Sequence, residues 1–299
     1  MAGYSMLVLG DSVTWGQGLL DGQKMHALVR DKLAQTRGPV SCLLLAHSGA
    51  VIGVDSGGSQ DTCDGEVPTA FPTILQQCAA APDSGVDLVI LNGGINDIDI
   101  RYILNPFTEE DDLADTTTRF CGKDMAVLID RTLVRFPAAR LVVTSYYPIL
   151  SPASHVGLLD DFMLALGIPV APFTRFIDDT FIYERIVSNC ELFFAQSTGA
   201  LQAAVAAANA QAPGRVHFAA PAFTENNAAL APQAWLFGIG SDLLPEDPVA
   251  AARRASCDIC LDDFLRREQC YRASAGHPNI TGAQKFAEAI LAAIASFPL

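Results

Sequence analysis

Ser12 is the residue of this chain best placed to act as a nucleophile. It follows an apolar run at 7–9 and the turn residues Gly10 and Asp11. We therefore expect it just past the carboxyl end of a buried strand, where open α/β sheets bind ligands. A serine attacks a carbonyl only beside a base, and acyl transfer also needs donors for the developing oxyanion. Gly-Asp-Ser alone is more often simply a turn whose serine caps a helix.

The base must be one of the histidines. His277 is the strongest candidate because Pro278 can stiffen its loop, directly before the last predicted helix. His47, just ahead of the Gly49 turn, is an alternative. The other histidines lie in a predicted helix, a Ser-Pro-rich loop and a predicted strand, and are His26, His155 and His217.

Donors for an oxyanion are available in three turns. They are the main-chain N–H groups of Ser12 and Gly49 and the side-chain amide of Asn96. An amide stays neutral at any working pH, so it can donate a hydrogen bond without losing a proton.

Strands and helices alternate along most of the chain. Apolar runs ending at Leu9 and spanning 40–46, 86–92, 140–146 and 216–219 predict strands, and 24–35, 69–80, 117–136, 176–210 and the stretch around 286–294 predict helices. A Gly-Ser-Asp-rich loop is predicted at 53–65 and an irregular segment at 222–276. This alternation predicts an α/β fold with a parallel sheet and helices on both faces, so the three turns share one sheet edge.

Composition limits the partners. Hydrophobic residues make up 50% of the chain and charged residues 17%, which is typical of a globular protein, and we expect a single domain over 1–299. A net charge of −14 disfavours binding to nucleic acid or an anionic membrane. No run is apolar enough for a membrane span. Without an evident leader we expect a cytoplasmic protein, or a secreted one if a leader has been removed.

The cysteines leave two interpretations open. Cys257-x-x-Cys260 followed by Cys270 could indicate zinc, but a fourth ligand is missing unless His277 serves. The even count of eight cysteines does not establish disulfides. We predict no metal site.

Four motifs in order resemble the SGNH, or GDSL, hydrolase superfamily of serine esterases and lipases. They are Gly10-Asp11-Ser12, Gly49, Gly94-Ile95-Asn96-Asp97, and His277 with Pro278-Asn279 before a C-terminal helix. The resemblance implies a three-layer α/β/α sandwich with about five parallel strands and no cofactor. It implies Ser12 as nucleophile, His277 as base, and Ser12, Gly49 and Asn96 as the oxyanion hole.

The implied activity is hydrolysis of small-molecule or lipid carboxylic esters through an acyl-Ser12 intermediate. Carbohydrate O-acetyl ester hydrolysis, thioester hydrolysis and acyl transfer use the same acyl-serine step and stay open. A catalytically silent binding protein on the same fold is the alternative from another class, because fold alone does not guarantee chemistry.

One position departs from the superfamily pattern. The aspartate that usually stands three residues before the histidine is replaced by Ser274. Either His277 works in a dyad with its ring held by a main-chain carbonyl or water, or another carboxylate reaches in. The upstream candidates are Asp258, Asp262, Asp263 and Glu268.

The chain is long for this superfamily, and the excess lies mostly in an insertion at about 147–276. The insertion is rich in aromatic residues: Phe173, Phe176, Phe181, Phe193, Phe194, Phe223, Trp235 and Phe237. We expect loops there to define the binding site and to form an apolar acyl or aryl pocket. The alternative is that these aromatics form a second small core.

Overall fold

The core of the protein is a five-stranded parallel sheet with strand order β2-β1-β3-β4-β5 in a computed structural model. The model describes residues 3–56, 72–83, 85–166, 168, 179–239, 247–262 and 264–297. The strands are β1 Tyr4–Leu9, β2 Val40–Leu44, β3 Leu88–Leu91, β4 Arg140–Thr144 and β5 Val216–Ala219. β1 and β3 are almost wholly apolar and buried because helices cover both faces of a parallel sheet.

The helices form one layer on each face of the sheet. They are α1 Ser12–Trp15, α2 Met25–Arg37, α3 Ile74–Ala80, α4 Ile95–Ile98, α5 Ile100–Ile103, α6 Glu110–Thr118, α7 Met125–Arg135, α8 Leu159–Ala165, α9 Asp179–Gln211, α10 Ala250–Cys260, α11 Phe264–Tyr271 and α12 Ile280–Ala295. α2 packs with α12 on one face, whereas α3, α7 and α9 pack together on the other. Short 3₁₀ turns lie at Asp21–Gln23, Val156–Leu158 and Glu225–Asn227, and a π-helical turn at Arg119–Asp124 joins α6 to α7.

This architecture confirms the predicted α/β sandwich and its five strands. The helix predicted from 117 begins earlier, at Glu110, because the polar first turns of α6 hide its start. The predicted loop at 53–65 and helix at 69–80 lie partly outside the described residues. In the part of the chain that the structure describes, no helix has the length and hydropathy to cross a bilayer.

The irregular segment predicted at 222–276 is wrong over two stretches. α10 and α11 lie within it, and the disulfide between Cys257 and Cys270 joins them. Proline and glycine at other positions of the segment favoured irregular structure. The local runs Ala-Ala-Ala-Arg-Arg and Leu-Arg-Arg-Glu-Gln are nevertheless good helix formers.

The strand order places the predicted turns together. β1 lies between β2 and β3, so the chain leaves the sheet in opposite directions from the ends of β1 and β3. Such a reversal of strand order opens a crevice at the carboxyl edge of a sheet, which is where α/β proteins bind ligands. Ser12, Gly49 and Asn96 all follow strands at this edge.

Candidate active site

The turn after β1 is fixed by a buried polar network. Asp11 caps α1 by accepting a hydrogen bond from Val13 N at 2.8 Å. Asn92 donates its side-chain amide to the same carboxylate at 2.8 Å and accepts from Asp11 N at 3.1 Å. Gly10 has a φ of 139°, and a Cβ there would lie 1.9 Å from the Asn92 oxygen. Only glycine therefore permits this close approach, which aims Ser12 at the crevice.

Ser12 and His277 meet across 265 positions of sequence. The Ser12 Oγ lies 2.8 Å from His277 Nε2. This is the distance at which a neutral imidazole can accept the serine proton. The predicted nucleophile and base are therefore in hydrogen-bond contact.

The ring of His277 favours its neutral form. Burial lowers its pKa to about 4, and the positive charge of Arg253 acts in the same direction. The main-chain groups of Ala273, Ser274 and Ala275 oppose that effect. A neutral ring accepts at Nε2 when Nδ1 carries the proton. Nδ1 is buried and makes no hydrogen bond of normal geometry with the described residues.

Short main-chain contacts hold the His277 loop. Phe237 N donates to His277 O at 2.7 Å, and Gly276 N donates to Phe237 O at 2.9 Å. Leu236 and Pro278 form an isolated antiparallel bridge. Asn279 then caps α12 by accepting from Gly282 N. The loop is thus fixed on both sides of His277, which supports the stiffness predicted from Pro278.

The predicted oxyanion donors lie around the same cavity. Gly49 and Asn96 line it together with Ser12 and His277. Asn96 Nδ2 donates one hydrogen to Ala50 O at 3.0 Å, which orients the amide. An amide nitrogen has two hydrogens, so the second remains for a ligand.

The cavity is mainly apolar and has a volume of about 230 Å³. Its apolar wall is formed by Val13, Ile95, Ile100, Tyr147, Ile149 and Leu166. Ligand pockets typically measure about 300–1,000 Å³, so this one suits a small apolar group.

Asp97 does not cap its own helix, as a strand-end aspartate would be expected to do. Its carboxylate accepts from Ile52 N at 3.0 and 3.1 Å and so joins the turn after β3 to the loop after β2. Burial raises its pKa to about 6. Asp11, by contrast, has the expected capping role.

No carboxylate from the described candidates contacts the imidazole. Asp258 accepts from Tyr271, Glu268 pairs with Arg272 at 3.0 Å, and Asp262 is exposed. Asp263 lies outside the described residues. Ser274 is fully buried, and its hydroxyl donates to Asp247.

Asp247 and Arg253 are the residues near the site that sequence reasoning missed. Their side chains form a fully buried ion pair, and Ser274 Oγ lies 2.5 Å from Asp247 Oδ2. Burial raises the pKa of Asp247, whereas the Arg253 charge lowers it. Neither residue belongs to a recognisable motif. A prediction of helix α10 would have been needed to place Arg253 on a buried helix face.

The other histidines have separate surroundings. His26 contacts Thr14 O at 3.2 Å, and burial lowers its pKa to about 4. His217 contacts Ser296 Oγ at 2.6 Å, and Ser296 lies at the carboxyl end of α12. His47 stacks beside Trp15 with ring centroids 5.8 Å apart. Among the hydrogen bonds of the described residues, His277 is the only histidine that contacts Ser12 Oγ.

The aromatic residues of the insertion divide between cavity and core. Tyr147 lines the cavity, and behind it Phe223 packs against Tyr147 at 5.4 Å and against Trp235 at 5.0 Å. Phe286 of α12 joins this cluster. The predicted aromatics Phe223 and Trp235 therefore belong to a core that supports one cavity wall, as in the alternative, whereas Tyr147, which lines the cavity, is not among the predicted residues. Phe173 and Phe176 lie outside the described residues.

The cysteine pattern has a structural explanation. Cys257 bonds to Cys270, which takes two of the three thiols needed for the zinc interpretation. Across the described ranges, no group of three or more His, Cys, Asp or Glu side chains could hold a metal ion.

Comparison with known proteins gives a fold likeness only. No family model and no curated protein sequence matches the chain. An extracellular lipase from Streptomyces rimosus is similar in structure, with a TM-score of 0.54, 15% identity, and 97% of this chain and 99% of that chain covered. A phospholipase A1 from Streptomyces albidoflavus NA297 has a TM-score of 0.53 and 15% identity over 99% and 100% of the two chains. The chain therefore has the three-layer fold that its resemblance to SGNH hydrolases implied.

Proposed function

We propose that the protein is a serine hydrolase that cleaves carboxylic esters through an acyl-Ser12 intermediate. The observation that supports this most strongly is the 2.8 Å contact between Ser12 Oγ and His277 Nε2 at a mainly apolar cavity. The two similar structures described above are a lipase and a phospholipase A1, which favours the same class of reaction.

The proposed reaction begins when Ser12 attacks the ester carbonyl and His277 accepts the serine proton. The main-chain N–H groups of Ser12 and Gly49 and the free Asn96 amide hydrogen donate to the oxyanion. His277 then returns the proton to the leaving alcohol, and water repeats the sequence to release the acid. Ser12 is thereby regenerated.

The substrate is an ester with a short acyl chain or a small apolar group at the cavity. A cavity of about 230 Å³ lies below the usual range for ligand pockets, so long chains would extend outside it. Hydrolysis of p-nitrophenyl esters of rising chain length tests this, and we expect kcat/KM to be highest for short acyl chains.

Labelling with an organophosphonate tests the function itself. We expect mass spectrometry to find the phosphonyl group on Ser12 of the folded protein, with loss of ester hydrolysis in proportion to labelling. Ser12→Ala should abolish both without changing the far-UV circular dichroism spectrum. The absence of labelling and of hydrolysis in folded wild-type protein would favour the catalytically silent binding protein instead.

A further inference from the structure

Tyr146 lies beneath the candidate site and is almost fully buried, with its ring 5.6 Å from that of Phe193. It follows β4, two positions beyond the end of the strand. Its hydroxyl donates to Asp11 Oδ2 at 2.8 Å and accepts from Ile95 N at 3.1 Å. One hydroxyl group thus joins the turn that carries Ser12 to the turn that carries Asn96.

The Asp11 side of this link keeps the hydroxyl oriented. Burial and the negative charge of Asp11 raise the pKa of Tyr146 well above its usual value, so the phenol keeps its proton. That proton is donated to Asp11, and the oxygen lone pairs are left for Ile95 N. Asp11 also accepts from Val13 N and Asn92 Nδ2, so it would keep two donors without Tyr146.

The Ile95 side depends more strongly on Tyr146. Ile95 is the first residue of α4, and Gly94, at its N-cap, has no side chain with which to cap it. The Tyr146 oxygen instead satisfies the first of the unpaired N–H groups at the start of this helix. Asn96 is the next residue along α4, so the position of its amide depends on how this first turn is held.

We propose that Tyr146 is a positioning residue that holds the Asn96 amide in the geometry needed for oxyanion stabilisation. The role rests on the proposed function, because it matters only if an oxyanion forms at Ser12. Loss of the hydroxyl leaves Ile95 N without its partner, whereas Asp11 keeps two donors. The effect should therefore fall on Asn96 more than on Ser12.

Tyr146→Phe tests the proposal because it removes the hydroxyl and keeps the ring. We expect kcat for p-nitrophenyl ester hydrolysis to fall about 10- to 100-fold, the scale for misplacement of a catalytic group. KM should change less than about threefold, since the apolar cavity wall is unaltered. In an Asn96→Ala background, Tyr146→Phe should lower kcat by less than about threefold, because the amide it positions is already absent.

Tyr183→Phe is the matched control. The single hydroxyl hydrogen of Tyr183 is shared between the main-chain oxygens of Ser151 at 3.1 Å and Ser154 at 2.9 Å, outside the cavity lining. Tyr183→Phe also removes a hydroxyl from its protein partners, so we expect Tm to fall with kcat unchanged. A purely structural effect of Tyr146 would make the two variants alike.

Several outcomes overturn the proposal. Unchanged kcat in Tyr146→Phe is one, and an equal loss with and without Asn96 is another. If Tyr146→Phe does not fold, Tyr146→4-aminophenylalanine keeps a donor for Asp11 but offers Ile95 N a weaker acceptor, and its loss of kcat must also shrink in the Asn96→Ala background. If the folded wild-type protein neither hydrolyses esters nor accepts a phosphonate, the proposed function itself fails, which separates that result from failure of the Tyr146 role.

Discussion

The working pH range follows from the low pKa of His277. Burial lowers this pKa to about 4. As a base, His277 is active only when neutral, so activity should be lost as the pH falls through the folded pKa. We therefore expect kcat/KM, which reports the free enzyme, to stay level from pH 8 to pH 5 and to decline near pH 4.

The size of the effect at pH 5 separates a buried imidazole from an ordinary one. With a pKa of about 4, roughly nine tenths of His277 is neutral at pH 5. With the ordinary value of about 6.5, only about 3 in 100 would be neutral. The two cases differ about 30-fold in the active fraction, far beyond the error of a rate measurement.

The assay must follow acid release and not the absorbance of nitrophenolate, because nitrophenol is mostly protonated at low pH. Titration of the acid released from a short-chain alkyl ester, or reading at the isosbestic wavelength, meets this need. Circular dichroism at each pH should confirm that the fold is retained.

Asp97 needs a control because its pKa is raised to about 6 and its carboxylate holds the loop after β2. Asp97→Asn keeps an acceptor for Ile52 N and removes the titration. If the inflection belongs to His277, this variant keeps it near pH 4. An inflection near pH 6.5 in both proteins would refute the inference that the imidazole is desolvated in the working site.

Three further predictions concern single contacts. Asn96→Ala should lower kcat by about 10²–10³, the effect of losing one oxyanion donor, and a change confined to KM would instead assign Asn96 to ground-state binding. Ser274→Ala should lower kcat about tenfold or less, because the Ser274 hydroxyl contacts Asp247 and not His277. Ser274→Asp should lower Tm, because it places a second carboxylate beside the buried Asp247. Reduction of the Cys257–Cys270 disulfide should cost about 2–4 kcal/mol of unfolding free energy in urea titrations, and an unchanged midpoint would contradict a structural role.

Much of the fold could be predicted because the strands are short apolar runs that end in glycine-containing turns. β5 has the predicted bounds. β1 ends directly before Gly10, and one residue separates the end of β3 from the Gly93-Gly94 pair. The alternation of strands and helices then determines a parallel sheet and brings the turns to one edge. Local sequence was sufficient there because each signal lies within a few residues of the structure it specifies.

The helices of the insertion could not be predicted in the same way. α10 and α11 occupy short stretches between proline- and glycine-containing segments, so composition over the whole insertion indicated irregular structure. Packing supplies the missing information, since Cys257 is fully buried and bonded to Cys270 across two helices. A cross-link of this kind depends on tertiary contacts that sequence spacing does not encode.

The surroundings of His277 depend on a contact that no local pattern reveals. The sequence offered four carboxylates as orienting partners, but Ser274, at the position of the usual acid, instead contacts Asp247, which lies 27 positions earlier in the chain. Asp247 is paired with Arg253, so the two charges largely offset each other and cannot support an imidazolium as a lone aspartate would. The Arg253 charge even lowers the pKa of His277. The position that usually carries the acid is occupied by Ser274, which contacts a buried ion pair and not the imidazole. The His277 ring therefore has main-chain groups in place of a carboxylate beside it, and its pKa, which burial lowers, stays low for the same reason.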